Sequence, residues 1–358
     1  MKLGFLALAL LVLNTSIAAP TFTVSTPDLP NTQSLNINSP KLCNTAKNTL
    51  AYLNRGYAYD PAVIHSGHVA PVPLSKIKAT LVFICQHQDQ MNNPTFVKEH
   101  FNFIRWSPDL AKAKQLSAHK PLLQKIPSNQ ILMTKYYVHL ANASTKKAQS
   151  TPFALYALPK DEQQMSLEEA NSHPELIRFK YGKQAVLKGA LPNDAVTPLA
   201  FFSRADLESA LLQGTVVADF NGTASGKKIF NVHRNNNIAY DRTKGPYEQE
   251  RFWYFKEVDG IKGYGKDADQ KITVDPEVTF AADLNQLGLG KLLMIQYRDK
   301  TGKLISRAGI FADTGGAFAD NLYQVDFLAG SFAGNAAFAK ATHNLPDYVN
   351  AYFMVLKD

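Results

Sequence analysis

Residues 309–327 read GIFADTGGAFADNLYQVDF, with three aspartates spread over fourteen positions around a glycine turn. Asp313 stands before Thr314-Gly315-Gly316, Asp320 lies in the polar stretch that follows, and Asp326 sits inside the next apolar run. The pattern predicts strand, turn, strand. Alternation then puts Val325 and Phe327 on one face and Asp326 on the other. Two uses of these acids stay open. An Asp before Gly-Gly commonly holds a turn through backbone amides, here those of Gly315 and Gly316. A carboxyl general acid must instead stay protonated near neutral pH, which needs burial or a neighbouring acid. Asp326, flanked by bulky apolar residues, suits that second use.

The same texture extends outward from this stretch. From Gln130 on, short runs rich in strand formers alternate with Gly and Asn breaks: PFALYALP, RFKYG, QAVLKG, GTVVADFNG, KKIFNVHRNN, NIAYD, FWYFKEV, KLLMIQYRD and a closing VNAYFMVLKD. Many short strands with such punctuation predict a barrel or sandwich. RDKTGKLI predicts a hairpin turn at Lys300-Thr301-Gly302. Two helices interrupt. One is Ser203–Gly214, with Ser203 as N-cap and Gly214 as its close; the other is NAAFAKATHN near the C-terminus.

Upstream of Gln130 the spacing is helical. Leu42, Ala46, Leu50 and Leu53 recur at helix period, and Pro73–Gln86 and Pro94–Ile104 each open on a proline that a first turn tolerates. The first nineteen residues, MKLGFLALALLVLNTSIAA, have one lysine, an apolar run and a small-residue end, the layout of a cleaved signal peptide. The run is shorter than the ~20 apolar residues of a membrane span, and no Leu-x-x-Cys lipidation pattern follows. The expectation is a periplasmic or secreted chain.

At 45% hydrophobic and 11% aromatic the chain has the composition of a folded, not a disordered, protein. Its net charge of +8, or +7 once Lys2 leaves with the signal, favours an anionic partner such as a cell-wall polymer or a membrane surface. Export and the scatter of basic residues argue against nucleic acid. Cys43 and Cys85 are the two cysteines, and in an oxidising compartment they predict one disulfide.

Beyond these local readings, VDPEVTFAADLNQLGLGKLLMIQYRDKTGKLISRAGIFADTGGAFADNLYQVDFLAG (274–330) resembles the C-terminal part of the MltA family of lytic murein transglycosylases, with its 3D domain. The matching residues are Asp313-Thr314-Gly315-Gly316-Ala317-Phe318 and Val325-Asp326-Phe327. LMTKYYVHLANASTKKAQSTPFALYALPKD (132–161) is similar to the family's Phe-Thr-Gly-Tyr-Tyr-x-Pro segment and the strand after it. FSRADLESALLQG, VADFNGTASG and NIAYDRTKG are similar to its Ser-Arg-Ala-Glu-Ile helix, its Asp-x-Gln-Gly-Ser-Gly turn and its Ala-Tyr-x-x-Ile-Gly segment. They occur in order over about residues 130–345.

The resemblance implies a mainly β chain with N-terminal helices, an α+β fold. A double-psi β-barrel domain would face an inserted second β-domain across a groove. The implied segments are a signal peptide (1–19), the N-terminal helical part of the first domain (20–137), the inserted domain (138–254) and the barrel part (255–358). The implied substrate is a peptidoglycan glycan strand, cut between N-acetylmuramic acid and N-acetylglucosamine to a 1,6-anhydro end. Asp326 would act as acid and then base, with Asp313 in support. Thr134, Lys135, Tyr136, Tyr137, Asn221, Gly222 and Thr223 would bind substrate. No cofactor and no metal are implied.

The chain departs from the family pattern where Lys135 replaces a glycine, His139 a proline, and Asn221-Gly222-Thr223-Ala224 the Gln-Gly-Ser-Gly turn. A catalytically weakened glycan-binding protein and a water-using glycoside hydrolase remain the competing readings. His65 and His68 have no third metal ligand in sequence reach. His233 reads as a solvated strand residue, and Ser203 as a helix cap, since it lacks a Gly-x-Ser-x-Gly context.

Overall fold

A computed structural model describes residues 21–29, 35–118, 120–221, 226–316, 318–319 and 321–358. The signal-peptide reading over 1–19 lies outside these residues. Among them no helix is long and apolar enough to cross a membrane.

The strands are β1 (Thr21–Val24), β2 (Phe101–Ser107), β3 (Ile131–Asn142), β4 (Phe153–Tyr156), β5 (Pro198–Phe202), β6 (Thr215–Asp219), β7 (Lys227–Asn235), β8 (Trp253–Val258), β9 (Thr279–Ala281), β10 (Leu292–Arg298), β11 (Leu304–Asp313), β12 (Gln324–Phe332) and β13 (Tyr348–Leu356). β4 and β5 pair with each other, and the rest form one sheet in the order β1-β2-β13-β10-β11-β9-β12-β3-β6-β7-β8. β13 also pairs with β3, through Tyr348 opposite Leu132 and Val349 opposite Ile131. That contact closes β3, β13, β10, β11, β9 and β12 into a six-stranded barrel, with parallel pairs at β11–β9 and β12–β3. The barrel expectation therefore holds. Closure removes the unpaired edges that an open sheet would expose.

The barrel core is apolar and dense, with Leu293, Phe311, Phe280, Val325, Val349 and Phe353 all almost fully buried. Helices α1 (Ser39–Leu53) and α2 (Leu74–Gln86) pack on it through Leu42, Ala46, Leu53, Ile77, Leu81 and Ile84. Cys43 on α1 and Cys85 on α2 form a disulfide, as the cysteine count predicts. Their sequence separation of 42 residues corresponds to about 4 kcal/mol of lost unfolded-chain entropy. The unfolded, unreduced protein should therefore titrate no free thiol; two thiols would show the bond absent.

β3 carries the chain out of the barrel. Its first half pairs with β12 and its second half, His139–Asn142, pairs parallel with β6. A second core follows there, drawing Leu155, Phe202, Leu207, Val216, Phe230 and Phe255. The helix Arg204–Gln213 lies in it, capped as expected by the Ser203 side chain on the Asp206 amide and ended by left-handed Gly214.

Four local expectations fail, the first at NIAYD (237–241), which follows β7 as irregular chain and forms no strand. Pro94–Ile104 is not one helix: α3 (Pro94–His100) ends and β2 begins at Phe101. Phe101, Phe103 and Trp106 are buried because β13 pairs alongside them, a partner some 250 residues away. RFKYG and QAVLKG are not strands but the short helices Ile177–Lys180 and Lys183–Leu187. Ion pairs hold them: Arg178 reaches buried Glu162, and Lys183 reaches Glu208. These tertiary contacts override the β-propensity of the short runs.

Candidate functional site

Strand register assembles the site. In the parallel pair β11–β9, Asp313 stands opposite Ala281, and in the antiparallel pair β12–β9, Asp326 also stands opposite Ala281. In the parallel pair β12–β3, Asp326 stands opposite Thr134. Asp313, Ala281, Asp326 and Thr134 thus form a row across four strands on one face. The two aspartates are two strand spacings apart, roughly 10 Å between backbones. Ala281 leaves the space between them unfilled. On the other face Val325 and Phe327 enter the core, as alternation requires.

Asp313 is held by two donors. The Tyr136 hydroxyl donates to its Oδ2 at 2.7 Å and the Thr314 amide to its Oδ1 at 2.8 Å. The expected bonds to the Gly315 and Gly316 amides do not form, since the chain turns so that Thr314 presents its N–H first. Burial pushes the Asp313 carboxyl up to about 6, against the pull of Tyr136, the Thr314 amide and the Lys271 ammonium.

Asp326 differs. Its Oδ1 is buried and has no hydrogen-bond partner. Burial pushes its carboxyl up to about 7; the Asp313 charge adds to the rise, while the Thr134 hydroxyl, Lys120 and Lys135 oppose it. The residue as a whole is only partly covered.

The supporting polar chain runs from Asn321, which donates to Gln324 Oε1 at 2.9 Å, to Gln324, which donates to the Thr134 hydroxyl at 2.6 Å. Lys120 also donates to Gln324 Oε1, at 3.3 Å. Lys271 donates to Asn231 Oδ1 at 2.7 Å and to the Val232 carbonyl at 3.1 Å, and burial lowers its ammonium to about 8. Lys271 thereby ties β7 to the barrel while facing Asp313.

Of the residues expected to bind substrate, the fold gathers Thr134 and Tyr136 at the carboxyls. Lys135 pairs with Asp347 at 2.8 Å and is mostly covered, so its long side chain is tied down. Tyr137 turns to the opposite face by alternation, donates to Asn335 Oδ1 at 2.9 Å and packs on Phe338. Asn221 lies two residues beyond Asp219, the β6 residue opposite Asn142, and Asn142 is eight residues along β3 from Thr134; that is roughly 26 Å at ~3.3 Å per residue. There it lines an open cleft of about 560 Å³ with Asn142, Ser144, Ser203 and Asp206. A neighbouring cleft of about 400 Å³ shares Asn142 and Asp206 and reaches Gly334, past the end of β12. Gly222, Thr223 and Asp320 lie outside the described residues.

Sequence reasoning missed Lys120, Lys271 and Gln324. Gln324 was findable, since it precedes Asp326 by two and so shares its face. The two lysines carry no local signal.

His233 is not solvated: it is buried beside Asp267 and Asp269, and burial lowers its imidazole to about 4. Together they are the one group among the described residues with metal-ligand spacing. Metal fits it poorly. His233 Nδ1 accepts the Ala268 amide, so Nε2 keeps its proton, and Lys256 and Arg234 already face the two acids. His65 and His68 stack on each other, with both His65 ring nitrogens engaged by backbone groups.

No family model and no curated protein matches the sequence. Solved structures do match. The membrane-bound lytic murein transglycosylase of Agrobacterium tumefaciens aligns with a TM-score of 0.62 at 15% identity, over 94% of this chain and 97% of that one. MltA of E. coli with bound chitohexaose aligns at 0.58 and 17% identity, over 94% of each chain. MltA of Neisseria gonorrhoeae aligns at 0.54 and 15% identity, over 87% and 88%. Their coverage spans the barrel and the second core alike, and this chain has the fold of the MltA lytic murein transglycosylases.

Proposed function

We propose that the chain is an exported peptidoglycan lytic transglycosylase, working as a barrel domain and an inserted domain (138–254) on either side of a glycan groove. The observation that carries this reading is the Asp326 carboxyl: raised to about 7, with one oxygen unpartnered, beside a second acid held by Tyr136. Such a group is about half protonated at neutral pH, where an ordinary aspartate is ionised, and has an unpartnered oxygen for an incoming hydroxyl or ether. The fold shared with lytic murein transglycosylases supports the substrate class.

In this mechanism Asp326 gives its proton to the glycosidic oxygen as the C1–O bond breaks. The resulting carboxylate takes the proton of the sugar's own C6 hydroxyl, and O6 bonds to C1. The proton returns to Asp326, no water is consumed, and a 1,6-anhydro end results. No second carboxylate nucleophile is needed, unlike in most glycosidases. Burial is what mainly keeps Asp326 protonated, and Asp313, anionic above about 6, adds to it by like-charge repulsion. Lys271 and Tyr136 hold that anion.

Digestion of purified sacculi, with the released sugar ends identified by mass, tests the reading. Anhydro ends are expected. Reducing ends would make the chain a hydrolase, and binding without release would make it a glycan-binding protein. Asp313→Asn provides a finer check. Removing the anion lowers the Asp326 pKa, so the alkaline limb of the rate profile should move to lower pH, with activity reduced. An unmoved limb would separate the two acids.

A further inference from the structure

A second cavity lies in the other core, away from the carboxyl row. It encloses about 210 Å³ between the helix Arg204–Gln213, the start of β8 and the loop before it, with Leu211, Leu212, Tyr240, Gln249, Arg251 and Trp253 in its wall. At ~30 Å³ per water, that is space for roughly seven waters, below the volume of ordinary drug-sized sites. A ligand of several heavy atoms fits; a sugar chain does not.

The polar groups of the lining differ in one respect. Lys183 donates to Glu208 at 2.7 Å and to the Pro246 carbonyl at 2.6 Å. Glu208 also accepts from Arg204. Gln249 uses its amide on Asp241 and Lys244 backbone groups. Among the charged lining residues Arg251 alone has neither a side-chain hydrogen bond nor an ion pair among the described residues, and its buried Nε is unpartnered. Its guanidinium lies over the Trp253 ring, 4.6 Å from the centroid. Burial lowers its pKa with no carboxylate acting the other way. With Lys183 and Arg251 against Glu208, the lining has excess positive charge.

We propose that this cavity binds the carboxylate end of a small acylated amino acid or short peptide, gripped by Arg251. A guanidinium offers two parallel N–H groups to a carboxylate, and such charge-assisted pairs are among the stronger hydrogen bonds. Trp253 fixes the guanidinium plane by cation–π contact. Leu211 and Leu212 receive the alkyl side chain, which an inorganic anion lacks. Leu212 is 60% exposed and forms the rim, so the ligand enters past it.

The test uses N-acetylalanine, its amide and inorganic phosphate as probes, on the full mature chain. Trp106 is fully buried in the barrel, so a binding-linked fluorescence change reports Trp253. Saturable binding of N-acetylalanine is expected, at least tenfold tighter than that of the amide or phosphate. By calorimetry Arg251→Gln should weaken it at least tenfold. Leu212→Asp, a change at an exposed rim that does not threaten folding, should do the same through repulsion. No saturable binding, equal binding of acid and amide, equal binding of phosphate, or wild-type affinity in both variants would each overturn the proposal.

Discussion

Asp326→Asn should lower the release of anhydro-ended fragments from sacculi at least ~10²-fold, the low end of what general acid–base groups contribute. The change keeps the shape of the side chain and removes its proton. Its effect on stability has the opposite sense and depends on pH. In the fold the carboxyl titrates at about 7, against an ordinary value of 3.8. Between those values the folded chain keeps a proton that the unfolded chain releases. The stability this contributes is complete below the unfolded value and is lost as pH rises through about 7. Asn carries no such loss. Relative to the wild type, the variant's melting temperature should therefore rise as the pH goes from about 4 to 8. Near-wild-type turnover by the variant would remove Asp326 from the mechanism. Loss of activity together with a large drop in melting temperature at both pH values would assign the residue a structural role.

The largest stability effect is expected elsewhere, at Glu162. This residue is fully buried, and both its oxygens accept from Arg178 Nε at 2.9 Å. Arg234 donates to Oε2 at 3.2 Å. One anion thus faces two buried guanidinium groups, whose other donors go to Asn235, Asn171 and Met165. Glu162→Gln leaves Arg178 without a counter-charge and Arg234 with only Asp267, at 3.9 Å, which should destabilise the chain by about 3–5 kcal/mol. The exposed pair Lys228–Glu257 makes the control. Glu257→Gln should change stability by less than about 1 kcal/mol, because water already solvates both ends. Urea unfolding of the two variants decides this. A Glu162→Gln loss no larger than the control's would mean that water reaches the arginines.

The two predictions differ in how they could be reached. Asp326 is legible from sequence because its cues are local. A glycine turn, two alternating strands and an acid between Val325 and Phe327 all fall within nineteen residues. The same holds for Ser203 and Gly214, whose capping roles depend on neighbours three or four positions away. The short strands with their Gly and Asn breaks left barrel and sandwich both open, and the resemblance of the ordered segments to a known family implied the barrel. Glu162 offers no such signal. It stands in a polar run, and only the fold brings Arg178 and Arg234 to it from 16 and 72 residues away.

The misread segments share this cause. Phe101–Ser107 has apolar residues that suit either a helix or a strand, and pairing with β13 decides. RFKYG and QAVLKG have strand-like composition, and ion pairs to Glu162 and Glu208 make them helical. His233 looks polar on a strand and is buried by a loop 34 residues further on.

The sequence by itself determined the periods, the turns, the caps and the pair of acids, because backbone sterics and side-chain alternation act over a few residues. Only the tertiary structure decided that the sheet closes between β3 and β13, that Tyr136 reaches Asp313 across 177 positions, and that Lys271 faces the same carboxyl. Those contacts depend on which distant strands become neighbours. They set the burial and local charge that raise Asp326 to about 7, and a carboxyl's acidity is a property of its surroundings, which no local window of sequence contains.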